Sequence, residues 1–284
     1  MPIALTNENY YSTQANIDYM SVSQFKDFAG TTCHFNCEET AFLKYKGLIP
    51  QATSEALLMG SYIDAYYEGT LDEFKQNNPE LFKKTGDRGL LAKYVQVDDI
   101  IRRLNKDPMF TSYMSGDKQV IMTAKLFDVD WKIKMDSYLP GDKIVDLKLV
   151  KDMNPIWNPA THSKVDFIHY WGYDIQGAVY QKIVELVTGY RLPFYIAAAT
   201  KEKITKYDII QITQPHLDAA LEFVENYIQH VLDIKTGKIA PVRCETCAHC
   251  LATKRIKAPI TIDDIMPNQT DAHHDIDFEE DDDE

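Results

Sequence analysis

The sequence lacks the features of a secreted or membrane-spanning protein. No run approaches the roughly 18 consecutive apolar residues that a bilayer span needs. The N-terminus MPIALTNENYYSTQ has neither the basic start nor the apolar run of a signal peptide. Cysteine is scarce, with 5 residues among 284, in a pattern that suits thiols or metal ligands better than disulfides. We therefore expect a cytoplasmic protein.

Basic residues are outnumbered, with 30 Lys and Arg against 43 Asp and Glu and a formal net charge of −13. The excess is concentrated at one end, because residues 259–284 hold 11 of the acidic residues and no Lys or Arg. The remaining 32 acidic and 30 basic residues leave the body nearly neutral, which does not exclude a nucleic-acid partner. The acidic block is typical of a disordered tail that solubilises the protein, docks a partner or mimics DNA.

The apolar pattern predicts one domain over residues 1–258, followed by the tail. Helical periodicity is found at 21–30, 38–47, 54–69, about 170–188 and 214–235, and further helices and loops are expected over 79–117. Strands are predicted at about 119–127, 131–139, 143–150, 192–200 and 206–212, and a loop over 153–163. This order predicts an α+β (α/β) fold with a central mixed β-sheet flanked by helices.

Three charged residues share one face of the predicted hairpin. With residues 140–142 as its loop, Asp136 lies opposite Asp146, and Lys148 projects from the same side. Opposed carboxylates repel each other unless a cation lies between them. Carboxylate oxygens are the ligands that Mg²⁺ prefers, and an ammonium group can hold a hydroxide or phosphate oxygen. An exposed hairpin with incidental charges is the alternative at this point.

A second polar stripe lies on the helix that follows. Tyr173, Gln176 and Tyr180 are spaced to share one face, beside an apolar face that suits the core. Tyrosines packed at the rim of a helix are the simpler interpretation. The alternative is a stripe that faces a ligand.

Together these motifs resemble the PD-(D/E)XK nucleases, in particular the RecB/RecE-type branch and its phage exodeoxyribonuclease VIII-like members. Asp136 followed by Asp146-Leu147-Lys148 is similar to the D…(D/E)xK signature, and Gln176-x3-Tyr180 to the QxxxY element. Residues 60–64, GSYID, resemble the GxxxH element, with Asp64 in place of the usual histidine. Four motifs in this order are more specific than any one of them.

The resemblance implies a restriction-endonuclease-like core and a metal-dependent DNA exonuclease that acts on linear duplex DNA in phage-type homologous recombination. It further implies Mg²⁺ or Mn²⁺ as cofactor, a single-strand annealing protein as partner, a homo-oligomer and the cytosol of a bacterial host. Two alternatives remain open: a nuclease-fold module that binds DNA or a partner without cleavage, and a restriction-type endonuclease.

The resemblance also assigns roles to residues. Lys148 would orient or help deprotonate the attacking water, while Gln176 and Tyr180 would position DNA or the metal-binding carboxylates. The implied metal ligands are Asp136, Asp146, the backbone carbonyl of Leu147, and Asp64. For each of several lysines a solvated surface position is the simpler interpretation, and a phosphate contact is the alternative; these candidates are Lys132, Lys134, Lys151, Lys164 and Lys201.

The cysteines form a separate pattern. Cys244, Cys247 and Cys250 give Cys-x2-Cys-x2-Cys, and Cys33 and Cys37 lie near the N-terminus. Some RecB-type nucleases hold a 4Fe–4S cluster through one N-terminal and three C-terminal cysteines, although with a longer last spacing. The resemblance thus implies a cluster or Zn²⁺ bound by Cys37, Cys244, Cys247 and Cys250. Reduced structural thiols are the alternative.

Overall fold

The computed structural model describes residues 2–50, 54–85, 88–256 and 258–262. The helices are α1 (Thr13–Asp18), α2 (Val22–Ala29), α3 (Glu38–Tyr45), α4 (Glu55–Glu68), α5 (Leu71–Asn77), α6 (Ala92–Leu104), α7 (Pro108–Tyr113), α8 (Phe167–Trp171), α9 (Tyr173–Thr188), α10 (Gln214–Lys235) and α11 (Ala248–Ala252), with a 3-10 turn at Pro79–Leu81. The strands are β1 (Val120–Leu126), β2 (Val129–Met135), β3 (Ser137–Leu139), β4 (Lys143–Val150), β5 (Ile156–Asn158), β6 (Ser163–Val165), β7 (Phe194–Thr200) and β8 (Tyr207–Ile212). None of the described helices is long and apolar enough to cross a membrane.

The chain divides into two compact units, residues 1–244 and 245–284. The first carries α1–α10 and every strand described above, and the second carries α11. The predicted end of the main domain at residue 258 stays a prediction. From residue 263 onward, the predicted acidic tail lies outside the described residues.

The central sheet has the strand order β3-β4-β7-β8, with β4 and β7 parallel and the other pairs antiparallel. It is therefore mixed, as predicted. The three strands predicted at about 119–127, 131–139 and 143–150, however, are divided between two sheets, because β1 and β2 form a two-stranded sheet of their own. Met135 pairs with Val120 in one sheet and Ser137 with Val145 in the other. Asp136 lies at the bend between them.

Helices cover both faces of the central sheet, also as predicted. On one face Ile144 is buried in a core formed with α2, α9 and α10. On the other, Val145 and Leu147 are buried with residues of α4, α6 and α7. Since side chains alternate along a strand, Asp146 and Lys148 project toward the α9 side. Both faces of β4 are therefore covered by other parts of the protein.

Two predicted elements differ from those observed. The helix predicted from about residue 170 is interrupted at Gly172, whose φ of +64° a residue with a side chain rarely adopts. An added Cβ there would lie 2.8 Å from Cδ of Lys26. The predicted loop over 153–163 contains β5 and the start of β6. These strands have three residues each, which is too short for a periodic pattern to be recognised.

Candidate active site

The polar residues predicted from the sequence converge on one cavity of about 190 Å³. All seven residues of the predicted centre line it, and they come from α4, the Asp136 bend, β4 and α9. The full lining consists of Tyr11, Asp64, Glu68, Gln119, Lys134, Asp136, Asp146, Leu147, Lys148, Gln176 and Tyr180. The fold thus brings together residues that are distant in sequence.

Asp136 is held against the backbone of β4. Its Oδ2 accepts a hydrogen bond from the N–H of Leu147 at 2.9 Å. Burial raises the pKa of the Asp136 carboxyl well above its usual value, and the nearby carboxylates of Asp146 and Asp64 raise it further. The structure therefore shows Leu147 acting through its N–H, while its carbonyl as a metal ligand stays a prediction.

Asp146 is fixed from two sides. Its Oδ2 lies 2.5 Å from Nζ of Lys148, and its Oδ1 accepts a hydrogen bond from Nε2 of Gln176 at 2.6 Å. Burial alone would lower the pKa of Lys148, but the carboxylates of Asp146 and Asp136 raise it above its usual value. Lys148 therefore keeps a positive charge beside the carboxylates.

The two polar residues of α9 make different contacts. Gln176 binds Asp146 directly, whereas the hydroxyl of Tyr180 donates to the backbone carbonyl of Lys134 at 3.1 Å. Tyr180 therefore joins α9 to β2, next to the Asp136 bend. Both contacts hold α9 against the strands that carry the carboxylates.

Tyr173, the first residue of α9, has the ammonium groups of two lysines close to its ring. Nζ of Lys148 lies 5.3 Å from the centre of its ring, and Nζ of Lys26 lies 5.6 Å from it. Lys26 also donates to the carbonyl of Trp171 at 2.9 Å. Cations favour such positions over an aromatic face. The sequence placed Tyr173 on the polar stripe but gave it no role.

Three other residues of the cavity have no predicted role at this site. Glu68 lies one helical turn after Asp64, a spacing that could have revealed it. Gln119 has a φ of +53°, and its Oε1 is buried with no hydrogen-bond donor among the described residues. No pattern in the sequence marks Gln119 or Tyr11, because both reach the cavity from irregular segments.

The predicted phosphate contacts on β2 have different environments. Lys134 lines the cavity, with its Nζ 4.8 Å from the centre of the Tyr11 ring. Lys132 is only 1% exposed, so the prediction that it contacts DNA from the surface is wrong. Its ammonium instead donates to the carbonyl of Tyr10 at 2.5 Å and to Oδ1 of Asn16 at 2.7 Å. Side-chain alternation alone did not reveal this internal role.

The oxygen atoms around the cavity are of the kind that bind a hard divalent cation. Asp64, Glu68, Asp136 and Asp146 supply carboxylates, and Gln119 supplies a buried amide oxygen without a donor among the described residues. Burial raises the pKa of Asp64 to about 7, against the opposing effect of Lys148. Binding of Mg²⁺ or Mn²⁺ lowers the mutual repulsion of such crowded carboxylates.

The cysteines form close pairs within each compact unit. In the first, the sulfur atoms of Cys37 and Cys244 lie within 4.8 Å of each other. In the second, those of Cys247 and Cys250 do the same, and the N–H of Cys250 donates to Sγ of Cys247 at 3.4 Å. Paired thiolates are ligands for zinc or iron. That all four bind one 4Fe–4S cluster or Zn²⁺ stays a prediction, which metal analysis of the purified protein would test.

Comparisons with known proteins identify the family of the chain and a similar solved structure. A family model described as "PDDEXK-like domain of unknown function (DUF3799)" matches residues 21–253. The crystal structure of a "Putative exonuclease" from Eubacterium rectale is 48% identical in sequence and superimposes with a TM-score of 0.87. The match covers 93% of this chain and 98% of that chain. No curated protein matches the sequence.

Proposed function

The chain belongs to the PDDEXK-like DUF3799 family, and from that premise we propose that it is a metal-dependent exonuclease that hydrolyses the phosphodiester bonds of linear duplex DNA. Family membership and the likeness to the Eubacterium rectale protein support a nuclease. The observation that carries the proposal is the convergence of Asp136, Asp146 and Lys148 on one cavity.

The proposed chemistry divides between carboxylates and an ammonium group. Asp136, Asp146 and Asp64, with the carbonyl of Leu147, would hold Mg²⁺ or Mn²⁺. A cation bound there would supply Lewis acidity, which polarises a phosphate and lowers the pKa of a water molecule. Lys148 orients that water and stabilises the negative charge that develops on the phosphate oxygens. Its ion pair with Asp146 supports this role, because it keeps the ammonium beside the reacting atoms.

Gln176 and Tyr180 are proposed as positioning residues. The amide of Gln176 restricts Asp146 to one orientation, so that the second carboxylate oxygen stays beside Lys148. Tyr180 fixes α9 to the backbone at Lys134, two residues before Asp136. Rigid support of this kind lowers the cost of orienting the reacting groups.

The biological setting is proposed from the resemblance to phage-type nucleases. We place the protein in homologous recombination, in the cytosol of a bacterial host, where it works beside a single-strand annealing protein and forms a homo-oligomer. A binding module without cleavage would have no need for Lys148 in its ion pair with Asp146. A restriction-type endonuclease shares the same catalytic residues and is distinguished by its products.

The first test is digestion of linear and covalently closed circular duplex DNA, with Mg²⁺ and with EDTA. We expect the wild type to degrade only linear DNA and only with the metal. Lys148→Ala and Asp146→Asn should lower the rate by about 10²–10⁴-fold. Asp208→Asn, which alters an exposed acid on β8, is the matched control and should remain active.

Two results would contradict the exonuclease proposal. Cleavage of circular DNA by the wild type would indicate an endonuclease. Binding of DNA without cleavage under all metal conditions would indicate a binding module.

A further inference from the structure

A second cavity, of about 270 Å³, adjoins the candidate active site. Tyr11 lines both cavities. We call the second one the basic pocket, after the charges around it. The residues of its lining that matter here are Tyr11, Asn16, Gln24, Asp27, Lys44 and Lys46.

Two buried lysines lie directly behind this lining. Lys132 of β2 is 1% exposed and Lys235 of α10 is 8% exposed. Nζ of Lys132 donates to Oδ1 of Asn16 at 2.7 Å, and Nζ of Lys235 donates to Oε1 of Gln24 at 2.7 Å. Each ammonium group is thus one side chain away from the pocket.

Neither buried ammonium group has a carboxylate partner in the part of the chain that the structure describes. Their other hydrogen bonds go to the backbone carbonyls of Tyr10 and Asn16. Burial lowers the pKa of Lys132 and of Lys235 to about 8, and Lys132 itself contributes to the shift at Lys235. Buried charge without a counter-charge is costly. An anion nearby would relieve that cost.

The lining itself adds to the positive potential. Lys44 and Lys46 belong to it, and Asp27 is the opposing carboxylate among the lining residues. Nε2 of Gln24 is buried and donates no hydrogen bond to any described residue. Oε1 of Gln24 accepts from Lys235. The Nε2 group is therefore an unused donor on a residue that shares the pocket lining with Lys44 and Lys46. Such a set of donors suits an anion with several oxygens.

We propose that the basic pocket binds a phosphoryl anion beside the candidate active site. The anion is either a phosphate of the nucleic-acid strand or free inorganic phosphate. Binding of a strand phosphate rests on the proposed nuclease function. Tyr11 would then border both the scissile phosphate and the neighbouring phosphate of the same strand. The second source does not depend on nuclease activity.

The binding test measures thermal unfolding of the full chain in inorganic phosphate and in chloride at equal ionic strength. The test variant is Lys44→Gln with Lys46→Gln. The matched control is Lys125→Gln with Lys203→Gln, which removes the same charge from two exposed positions. Phosphate should raise the Tm of the wild type and of the control but not of the test variant, because a ligand stabilises only a fold that binds it. Equal Tm in both salts for the wild type, or an equal shift in the test variant, would overturn the proposal.

The source of the phosphate is identified by fluorescence anisotropy with a labelled duplex oligonucleotide in EDTA, where no metal-dependent cleavage takes place. If the strand supplies the anion, inorganic phosphate competes with DNA, and the test variant binds DNA about tenfold more weakly than the control. If free phosphate is the ligand, both variants bind DNA equally although only the control is stabilised by phosphate. Neither readout requires hydrolysis. Phosphate binding without any cleavage of DNA would therefore contradict the proposed nuclease activity but support the proposed phosphate site.

Discussion

Among the single residues of the site, Tyr173 contacts the ammonium group of Lys148 through its aromatic ring. Its ring faces the Lys148 ammonium at 5.3 Å and the Lys26 ammonium at 5.6 Å. Contacts of this type contribute about 0.5–2 kcal/mol. We infer that the ring helps to keep Lys148 beside Asp146.

Tyr173→Leu should therefore lower kcat by about 2- to 30-fold, while Tyr173→Phe, which keeps the aromatic face, should retain activity. KM for DNA should change little, because the contact acts on Lys148. Steady-state kinetics of both variants and of the wild type measures kcat and KM for this comparison. If the two variants lose activity equally, the ring face is not what matters.

Lys235 should make the free energy of unfolding depend on pH. Its pKa is lowered to about 8 by burial from a usual value of 10.5, so between these values the unfolded chain binds more protons than the folded one. The free energy of unfolding then rises with pH across this window. Relative to Lys235→Met, the wild type should gain stability from about pH 8 to about pH 10 and show no such change below pH 8.

Urea unfolding in phosphate-free buffers measures this difference, and Lys203→Met at an exposed position is the control. A difference between wild type and Lys235→Met that stays constant from about pH 8 to about pH 10 would contradict the prediction.

Whether the sequence predicts a residue of the site depends on the type of element that carries this residue. Asp146 and Lys148 follow from strand alternation, and Gln176 and Tyr180 from helical spacing. Gln119 could not be found this way, because it precedes β1 in an irregular conformation with a positive φ. Its position depends on tertiary packing, which no local pattern encodes.

At the scale of elements, the sequence predicts the long periodic segments, whereas the three-residue strands β5 and β6 are not predicted. The helix predicted over 214–235 is α10 with the same bounds, because its apolar face repeats over the full length. The division between β2 and β3 was missed. A continuous run of alternating residues does not reveal that Asp136 lies where the strand leaves one sheet and joins another.

The packing of α9 can be tested at its glycine. A Cβ added at Gly177 would lie 2.7 Å from Cδ1 of Phe194 and 2.9 Å from Cδ2 of Leu217. Gly177→Ala should therefore lower the free energy of unfolding by about 1–3 kcal/mol. In α4, a Cβ added at Gly60 would meet no other described atom within 4 Å beyond its chain neighbours and the backbone of its own helix. Gly60→Ala should therefore raise the free energy of unfolding by about 0.5–1 kcal/mol through helix propensity.

Chemical denaturation of the two variants beside the wild type gives both values. Equal stability of Gly177→Ala and the wild type would show that β7 and α10 can move to admit a methyl group. Activity should fall with Gly177→Ala only if Gln176 is displaced with the helix.

At the scale of the whole molecule, charge is unevenly distributed along the chain. Residues 268–284 contain nine acidic residues and no Lys or Arg. Deleting them should strengthen the binding of duplex DNA at low salt, because a block of negative charge is removed from a protein that is proposed to bind a polyanion. The difference should shrink at an ionic strength of about 0.15 M or more, where charges are screened beyond about 8 Å.

Anisotropy titrations at several salt concentrations provide the measurement. An affinity that is unchanged at low salt would leave the segment with a solubilising role. A loss of affinity would mean that it contributes to binding.

The two-sided burial of β4 also limits how the gene can vary. Substitutions in this strand alter one face at a time, since Val145 and Leu147 lie in one core while Asp146 and Lys148 face the cavity side. Inserting or deleting a single codon would instead exchange the two faces beyond that point. Charged side chains would then enter the apolar core, and the leucine side chain, which now lies in that core, would point to the cavity side. Mutant libraries that aim to alter cleavage should therefore vary the residues of β4 at constant length.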